Sequence, residues 1–295
     1  MRPSRRDPRI RALDHATRVL YARVRAAPKN RALCRAMEGE PLARPAVAAD
    51  LRILLVPGIL YRDFPETGAD GAVVRDIAAQ YGIPFDTVPA DGTEGLESAA
   101  DQIIARLLAL PAESRVLLFS LSKGSAEVRH ALGRQQAQRA FRRVHAWISV
   151  SGLPFGTPTA ELVLRRPLAR LWFSAWFWFR HWRLERVREL LTHRPGASFE
   201  IPPHLMFVQI AAFPLHSQLR DRRSRRFQRR LAAFGPNDGF AILAELAALP
   251  GCLYPLWGAD HYLRGGPDLA LAITRLIQYL SGSFDAPDAE PCHGA

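Results

Sequence analysis

The sequence contains few cysteines and almost no lysine. Its three cysteines, Cys34, Cys252 and Cys292, are widely separated. None has the short spacing of a zinc site or the density of a disulfide-rich secreted domain. We therefore expect no metal site, no disulfide framework and a reducing compartment. Lys29 and Lys123 are the only lysines, so the formal net charge of +12 comes almost entirely from arginine.

Long apolar runs are also missing from the sequence. No segment approaches the roughly 18 apolar residues of a membrane-spanning helix. The first residues are rich in arginine without a following apolar stretch, so no secretory signal peptide is predicted and we expect a cytoplasmic location. The positive charge favours peripheral contact with an anionic membrane, such as the inner membrane surface. No nucleic-acid-binding motif accompanies the charge, so nucleic acid is not an expected partner.

The composition divides the chain into three parts. Residues 1–50 form a basic extension with one amphipathic helix predicted at about 9–26, which either packs outside the core or lies on a membrane surface. Residues 51–281 alternate apolar strand patterns with helical patterns, which predicts a single α/β domain. Residues 282–295 form a short tail with proline, and we expect this tail to be disordered.

An aromatic segment interrupts the α/β pattern. Residues 168–182 are dense in tryptophan and phenylalanine and are flanked by arginines. They fall within a predicted helical insertion at about 160–193, which is too short to span a bilayer. Such a helix is apolar on most faces, so it must pack on the core, cover a pocket or dip into lipid. We expect it to pack on the core, to form a cap over an acyl-binding pocket, or both.

The alternation of strands and helices predicts a mostly parallel central sheet flanked by helices. Predicted strands lie at 52–56, 85–88, 116–119, 144–150, 204–211 and 252–257, with helices at about 70–81, 96–110 and 267–281. Parallel strands require crossover connections, which the helices provide. In such sheets the binding site lies beyond the carboxyl ends of the strands.

The stretch 116–132 carries the strongest functional signal. Its apolar run 116–119 is typical of a buried strand, and its second half has a helical pattern. Between the two lies S-L-S-K-G (120–124), in which Ser122 has small residues two positions before and after it. This arrangement is typical of a nucleophile elbow, a tight turn that exposes a serine at the edge of a sheet. Ser120 stands where glycine is usual.

Two further residues complete a catalytic pattern in chain order. A serine nucleophile requires a base, and the base requires an acid that orients it. Asp238 lies in a P-N-D-G turn after the fifth predicted strand, and His261 lies in A-D-H-Y after the sixth. Asp260 is the alternative acid, but consecutive residues on one loop rarely form the required hydrogen bond. We therefore predict a catalytic set of Ser122, His261 and Asp238.

These motifs resemble those of the α/β-hydrolase superfamily of esterases and lipases. The resemblance covers about residues 51–281 and rests on V-P-G-I-L after the first core strand, S-L-S-K-G at the elbow, P-N-D-G at the acid turn and A-D-H at the histidine loop. It looks closest to uncharacterised bacterial lipase-like proteins. The resemblance implies an α/β-hydrolase fold and ester chemistry without a cofactor.

The resemblance also implies an oxyanion hole built from backbone N–H groups. One would come from Lys123, and the other from Ile59 or Leu60. Proline precedes the first glycine of V-P-G-I-L, where a histidine is often found, which leaves the second donor open. The Lys123 side chain is expected to point away from the site into a surface pair with Glu127, four residues later on the helix.

The sequence therefore predicts a serine hydrolase that cleaves a carboxylic ester through an acyl-enzyme. The aromatic segment suggests an apolar acyl group on a small-molecule or lipid ester. Two alternatives stay open. Ser120 in the elbow slightly favours a catalytically inactive hydrolase-like module that binds a lipid surface or a protein. Acyl transfer to an acceptor other than water would use the same three residues.

Overall fold

Six parallel strands form the centre of the computed structural model, which describes residues 7–39, 48–89, 95–164 and 199–282 and isolated positions between 167 and 196. The strands are β1 (Leu51–Val56), β2 (Phe85–Thr87), β3 (Arg115–Leu121), β4 (Val144–Val150), β5 (Met206–Phe213) and β6 (Cys252–Trp257). They lie in the order β2-β1-β3-β4-β5-β6, and each neighbouring pair is parallel. All six predicted strands are present, and the predicted parallel sheet is confirmed.

Helices cover both faces of this sheet. They are α1 (Pro8–Ala26), α2 (Pro28–Glu38), α3 (Ala72–Tyr81), α4 (Leu96–Ala109), α5 (Gly124–Leu132), α6 (Ala137–Ala140), α7 (Pro158–Leu164), α8 (Arg222–Leu231), α9 (Leu243–Ala248) and α10 (Leu269–Gly282). One apolar core joins the sheet to α2, α3 and α10. A second core joins the opposite face to α1, α4, α5 and α9. Because both faces are covered, the central strands are buried along nearly their whole length.

The N-terminal extension is part of the packed fold. Helix α1 confirms the predicted amphipathic helix, and its buried residues, Leu13, Thr17 and Val24, face the body of the protein. Helix α2 was not predicted, yet Leu33 and Met37 on it are only 0% and 1% exposed. Helix α2, although it lies within the basic extension of residues 1–50, therefore contributes to the apolar core.

Asn30 connects these helices to the edge of the sheet. Its side-chain amide donates a hydrogen bond to the Val24 carbonyl oxygen (2.7 Å), and its side-chain oxygen accepts one from the Leu253 N–H in β6 (2.8 Å). An edge strand exposes unpaired backbone groups that favour aggregation unless something covers them. The buried side chain of Asn30 thus provides a hydrogen-bond donor to the end of α1 and an acceptor to the free edge of β6.

The aromatic insertion and the tail lie largely outside the described residues. Of the large apolar residues in the aromatic segment 168–182, Leu171, Trp178 and Phe179 are described, and they are 68%, 79% and 75% exposed. These three side chains are therefore not packed into the core. This exposure disagrees with the interpretation that the segment packs on the core. The predicted tail begins where α10 ends, and residues 283–295 lie outside the described part. Among the described helices, none is long and apolar enough to cross a membrane.

The cysteines differ from one another in state. Cys34 is a buried free thiol, whereas Cys252 is disulfide-bonded. Cys292 lies outside the described residues. The wide spacing of the cysteines could not reveal this bond, because spacing reports only local pairs.

We expect Asn30→Ala to lower the free energy of unfolding by about 1–3 kcal/mol, because the buried Leu253 N–H loses its acceptor. The Val24 carbonyl oxygen keeps only the longer hydrogen bond from the Ala27 N–H (3.3 Å). Urea unfolding followed by circular dichroism measures the change. Arg35→Ala, at an exposed position on the same helix, is the matched control and should change stability little. An unaltered unfolding midpoint in Asn30→Ala would contradict the proposed role of this side chain.

Candidate active site

Ser122 occupies the sharp turn between β3 and α5. Its φ of 49° is left-handed, which is unfavourable for any residue other than glycine. Gly124 allows the turn to form, because a Cβ at this position would lie 2.7 Å from the carbonyl oxygen of Val56 and 2.9 Å from that of Pro57. The carboxyl end of β1 therefore packs directly on the start of α5 and holds the half-buried Ser122 at the sheet edge.

Ser122, His261 and Asp238 form a continuous hydrogen-bonded chain. Ser122 Oγ lies 3.1 Å from His261 Nε2, and His261 Nδ1 lies 2.9 Å from Asp238 Oδ2. The second contact requires a proton on Nδ1, which leaves Nε2 free to accept the proton of the serine hydroxyl. His261 and Asp238 are 5% and 1% exposed, so this chain is shielded from water except near the serine.

The acid turn is held in place by its own backbone and by neighbouring helices. Asp238 Oδ1 accepts hydrogen bonds from the N–H groups of Phe240 (2.9 Å) and Ala241 (2.7 Å). Gly239 has a φ of 98°, and the Asn237 side chain bonds its N–H. Gln228 of α8 donates to the Asn237 carbonyl oxygen. These contacts leave Oδ2 of Asp238 directed at the histidine.

Asp260 has a different set of partners. Its Oδ2 binds the guanidinium of Arg264 at 2.8 and 3.0 Å, and its Oδ1 accepts from the N–H groups of Tyr262 and Arg264. Arg264 also reaches Asp221 at the start of α8 (3.1 Å). Asp260 therefore shapes the loop that carries His261, and Asp238 is the carboxylate that contacts the imidazole. Burial raises the pKa of Tyr262 in this loop.

The unusual Ser120 belongs to a buried hydrogen-bond network beneath the elbow. Its hydroxyl accepts a hydrogen bond from Trp147 Nε1 (2.7 Å) and lies 2.9 Å from the hydroxyl of Ser125. Ser125 in turn lies 2.9 Å from the Ser149 hydroxyl. Gly152 is required beside this network, since a Cβ there would lie 1.9 Å from Ser149 Oγ. The hydroxyl of Ser120 therefore has a structural role that glycine would not fill.

We expect Ser120→Gly to lower the free energy of unfolding by about 1–3 kcal/mol, because the buried Trp147 N–H loses its acceptor. The cost should shrink when Trp147 is first replaced by phenylalanine, which removes the donor. Thermal and urea unfolding of the two single variants and the double variant, followed by circular dichroism, give the coupling. Equal costs of Ser120→Gly in both backgrounds would show that the hydrogen bond contributes nothing.

The residues predicted for an oxyanion hole lie beside the elbow. Lys123 follows Ser122, and its backbone N–H bonds no acceptor among the described residues. The loop with Ile59 and Leu60 leaves β1 at the point where Gly124 packs on it. Leu60 has a φ of 54°, and its carbonyl oxygen accepts from the N–H groups of Asp63 and Phe64, which fixes the loop.

The Lys123 side chain is buried, contrary to the sequence-based expectation. It pairs with Glu127 as the four-residue spacing predicts, but both side chains are 0% exposed. The expected surface location is wrong because α5 packs against both α4 and the sheet, and its first five residues, 124–128, are all buried. A buried ion pair is costly to disrupt when only one partner is removed. This pair therefore fixes the first turn of α5 rather than meeting substrate.

Backbone strain is concentrated at the same edge of the sheet. In the described part of the chain, four residues other than glycine have a left-handed φ: Leu60, Ser122, Ser151 and Leu263. Each follows the carboxyl end of a different strand, β1, β3, β4 or β6. Strained residues persist where the surrounding structure enforces them, and they cluster at functional sites. The elbow motif predicted a tight turn at Ser122, whereas no motif indicated the strain at the other three residues. All four mark the same edge as the hydrogen-bonded chain.

Two other features of this edge bear on its chemistry. The Ser151 hydroxyl is buried and has no hydrogen-bond partner within the described ranges. No motif in the sequence indicated a role for this side chain. The described residues hold no cluster of three or more histidine, cysteine or carboxylate side chains arranged for a metal ion. The groups brought together here are those of nucleophilic and acid–base chemistry.

Comparison with known proteins identifies the fold. No protein-family model and no curated protein matches the chain. Solved structures do match. The metagenomic carboxyl esterase MGS0156 aligns over 95% of this chain and 97% of its own, with 22% identity and a TM-score of 0.57. The mature Bacillus licheniformis lipase BlEst2 aligns over 82% of this chain and 96% of its own, with 17% identity and a TM-score of 0.53.

Proposed function

We propose that this chain, which has the α/β-hydrolase fold, is a serine hydrolase that cleaves a carboxylic ester. The hydrogen-bonded chain from Ser122 through His261 to Asp238 carries the proposal. Serine is a weak nucleophile at neutral pH, and the neighbouring imidazole supplies the base that activates it. The two solved structures described above share this fold, and one is an esterase and the other a lipase. Their names agree with the proposed chemistry.

In the proposed mechanism His261 acts first as a base and then as an acid. It takes the Ser122 proton on Nε2 while the serine oxygen attacks the acyl carbon. It then protonates the leaving alkoxide, and the acyl-enzyme forms. Water, activated by the same nitrogen, releases the acid and restores the serine. Asp238 holds the imidazole in the required tautomer and stabilises the imidazolium.

The developing negative charge would be stabilised by backbone donors. The N–H of Lys123 is free for this role among the described contacts, and Ile59 or Leu60 would supply the second donor. A single donor of this kind is worth about 3–4 kcal/mol of barrier lowering. The buried Lys123–Glu127 pair and the packing at Gly124 hold the first donor in a fixed position.

We further propose an apolar acyl group as part of the substrate. The aromatic segment 168–182 supports this, as does the exposure of Leu171, Trp178 and Phe179. Exposed apolar side chains on a helix next to a hydrolase domain are suited to cover an acyl chain or to contact a lipid surface. A small-molecule or lipid ester is therefore the proposed substrate class, and no cofactor takes part in the proposed reaction.

We expect a fluorophosphonate probe to label the wild-type protein covalently and to leave Ser122→Ala unlabelled, because only an activated serine attacks the probe at an appreciable rate. Gel fluorescence and mass spectrometry of the labelled peptide measure the reaction. Ser98→Ala, which removes an exposed serine on α4, is the matched control and should label like wild type. A folded wild-type protein that resists the probe would favour the inactive binding module.

We expect Asp238→Asn to lower kcat for a short-chain ester about 10³–10⁴-fold, because the amide stabilises the wrong tautomer of His261. Asp260→Asn should keep most of its activity per folded molecule but lose stability, since Arg264 loses its charged partner. Steady-state kinetics and thermal melts separate these effects. Retained activity in Asp238→Asn together with an inactive, folded Asp260→Asn would reverse the assignment of the acid.

A further inference from the structure

A basic cleft lies away from the hydrogen-bonded chain, between the start of α1 and the outer face of α8. Its volume is about 350 Å³. Four arginines line it: Arg9, Arg226, Arg229 and Arg230. Asp7 is the one carboxylate among the lining residues. Two segments that are more than 200 positions apart in the sequence therefore bring their guanidinium groups to one concave surface.

The orientation of α8 is fixed by its buried face. Ser224, Phe227, Gln228 and Leu231 recur at helical spacing and are buried. Gln228 also bonds the acid turn through the Asn237 carbonyl oxygen. The arginines of α8 must then face outward. They are held at the surface by the packing of the opposite face, and the helix cannot rotate to separate them from Arg9.

The arginines of the cleft are unlike the ion-paired arginines of the protein. Those pairs include Arg25–Glu38, Arg106–Asp86, Arg115–Asp50, Arg134–Asp101 and Arg264–Asp260. Scattered exposed arginines such as Arg18 and Arg23 on α1 also lack a carboxylate partner among the described residues, but in the cleft such arginines lie together on one concave surface. Within the described ranges, Arg9, Arg226 and Arg229 have no carboxylate within ion-pair distance. Asp7 caps α1 by accepting a hydrogen bond from the Arg9 N–H at 3.0 Å. The positive charge of the cleft is therefore largely uncompensated.

The run of arginines on α8 is a source of electrostatic repulsion. Six of the ten residues of α8 are arginine, and like charges three or four positions apart destabilise a helix. The capping carboxylate of Asp221 and the last-turn position of Arg229 and Arg230 favour the helix dipole, but no acidic residue within α8 offsets the repulsion. An ordinary solvated helix face would carry mixed charges. A concave surface with uncompensated guanidinium groups is what an anionic group requires.

We propose that this cleft binds the phosphate group of a phosphate ester, either a lipid headgroup or a soluble ligand. Guanidinium groups present planar pairs of donors that match phosphate oxygens, and such charge-assisted hydrogen bonds are strong. The site is separate from the proposed esterase chemistry and does not depend on it. With a lipid headgroup as ligand, this cleft on α1 and α8 is where the protein would contact an anionic membrane.

The test compares two probes and two variants of the full chain. Isothermal titration with glycerol 3-phosphate measures binding of a soluble phosphate ester. Flotation with phosphatidylcholine vesicles, with and without phosphatidylglycerol, measures binding of a lipid phosphate. The cleft variant is Arg226→Gln/Arg229→Gln. The control variant, Arg18→Gln/Arg23→Gln, removes the same charge from exposed positions on α1 outside the cleft, and thermal melts establish that both variants fold.

We expect the cleft variant to bind at least about tenfold more weakly to one probe or both, because each lost guanidinium removes a charge-assisted hydrogen bond. The control should stay close to wild type. Binding of glycerol 3-phosphate would identify a soluble ester as ligand, and binding only to phosphatidylglycerol vesicles would identify a headgroup. No binding by wild type to either probe would overturn the proposal. An equal loss in both variants would also overturn it, as that result indicates general surface charge.

Discussion

Backbone packs directly on backbone where β3 turns into α5, and the candidate site depends on this contact. The absence of a side chain at Gly124 lets the end of β1 lie against the first turn of α5. The same contact places the loop with Ile59 and Leu60 next to Ser122. Hydrogen bonds from the Ser122 N–H to the Val150 carbonyl oxygen (3.0 Å) and from the Leu153 N–H to the Ser122 carbonyl oxygen (2.9 Å) hold the turn from the side of β4. The left-handed φ at Ser122 is thus enforced from both neighbouring strands.

The sequence was sufficient to predict the fold and the members of the candidate site. The buried parallel strands are mostly apolar runs, which could be recognised without alignment. The short edge strand β2 (F-D-T) is half-buried and not an apolar run. The order of Ser122, Asp238 and His261 along the chain then placed all three at one sheet edge, since parallel strands end on the same side. Residues that are far apart in the sequence are therefore close in space. In the structure, Ser122 and Asp238 each lie within hydrogen-bond distance of His261.

Features that depend on packing between distant segments could not be predicted. Helix α2 is polar enough to look like a linker, and only its contacts with α10 and β6 show that Leu33 is core. The burial of Lys123 depends on α4, which its own sequence neighbours do not reveal. Ser120 looked like a defect of the elbow because its partner, Trp147, lies on another strand. In each case the deciding contact is long-range in sequence.

The contact of α1 and α2 with β6 also has a consequence for the order of folding during synthesis. Asn30 leaves the ribosome more than 200 residues before Leu253, its partner in β6. The first two helices therefore have no edge to dock on until almost the whole sheet has been translated, and Leu33 and Met37 stay exposed meanwhile. Nascent chains with exposed apolar surface are prone to misassembly. A segment synthesised well before β6 therefore reaches its native position only after β6 has formed.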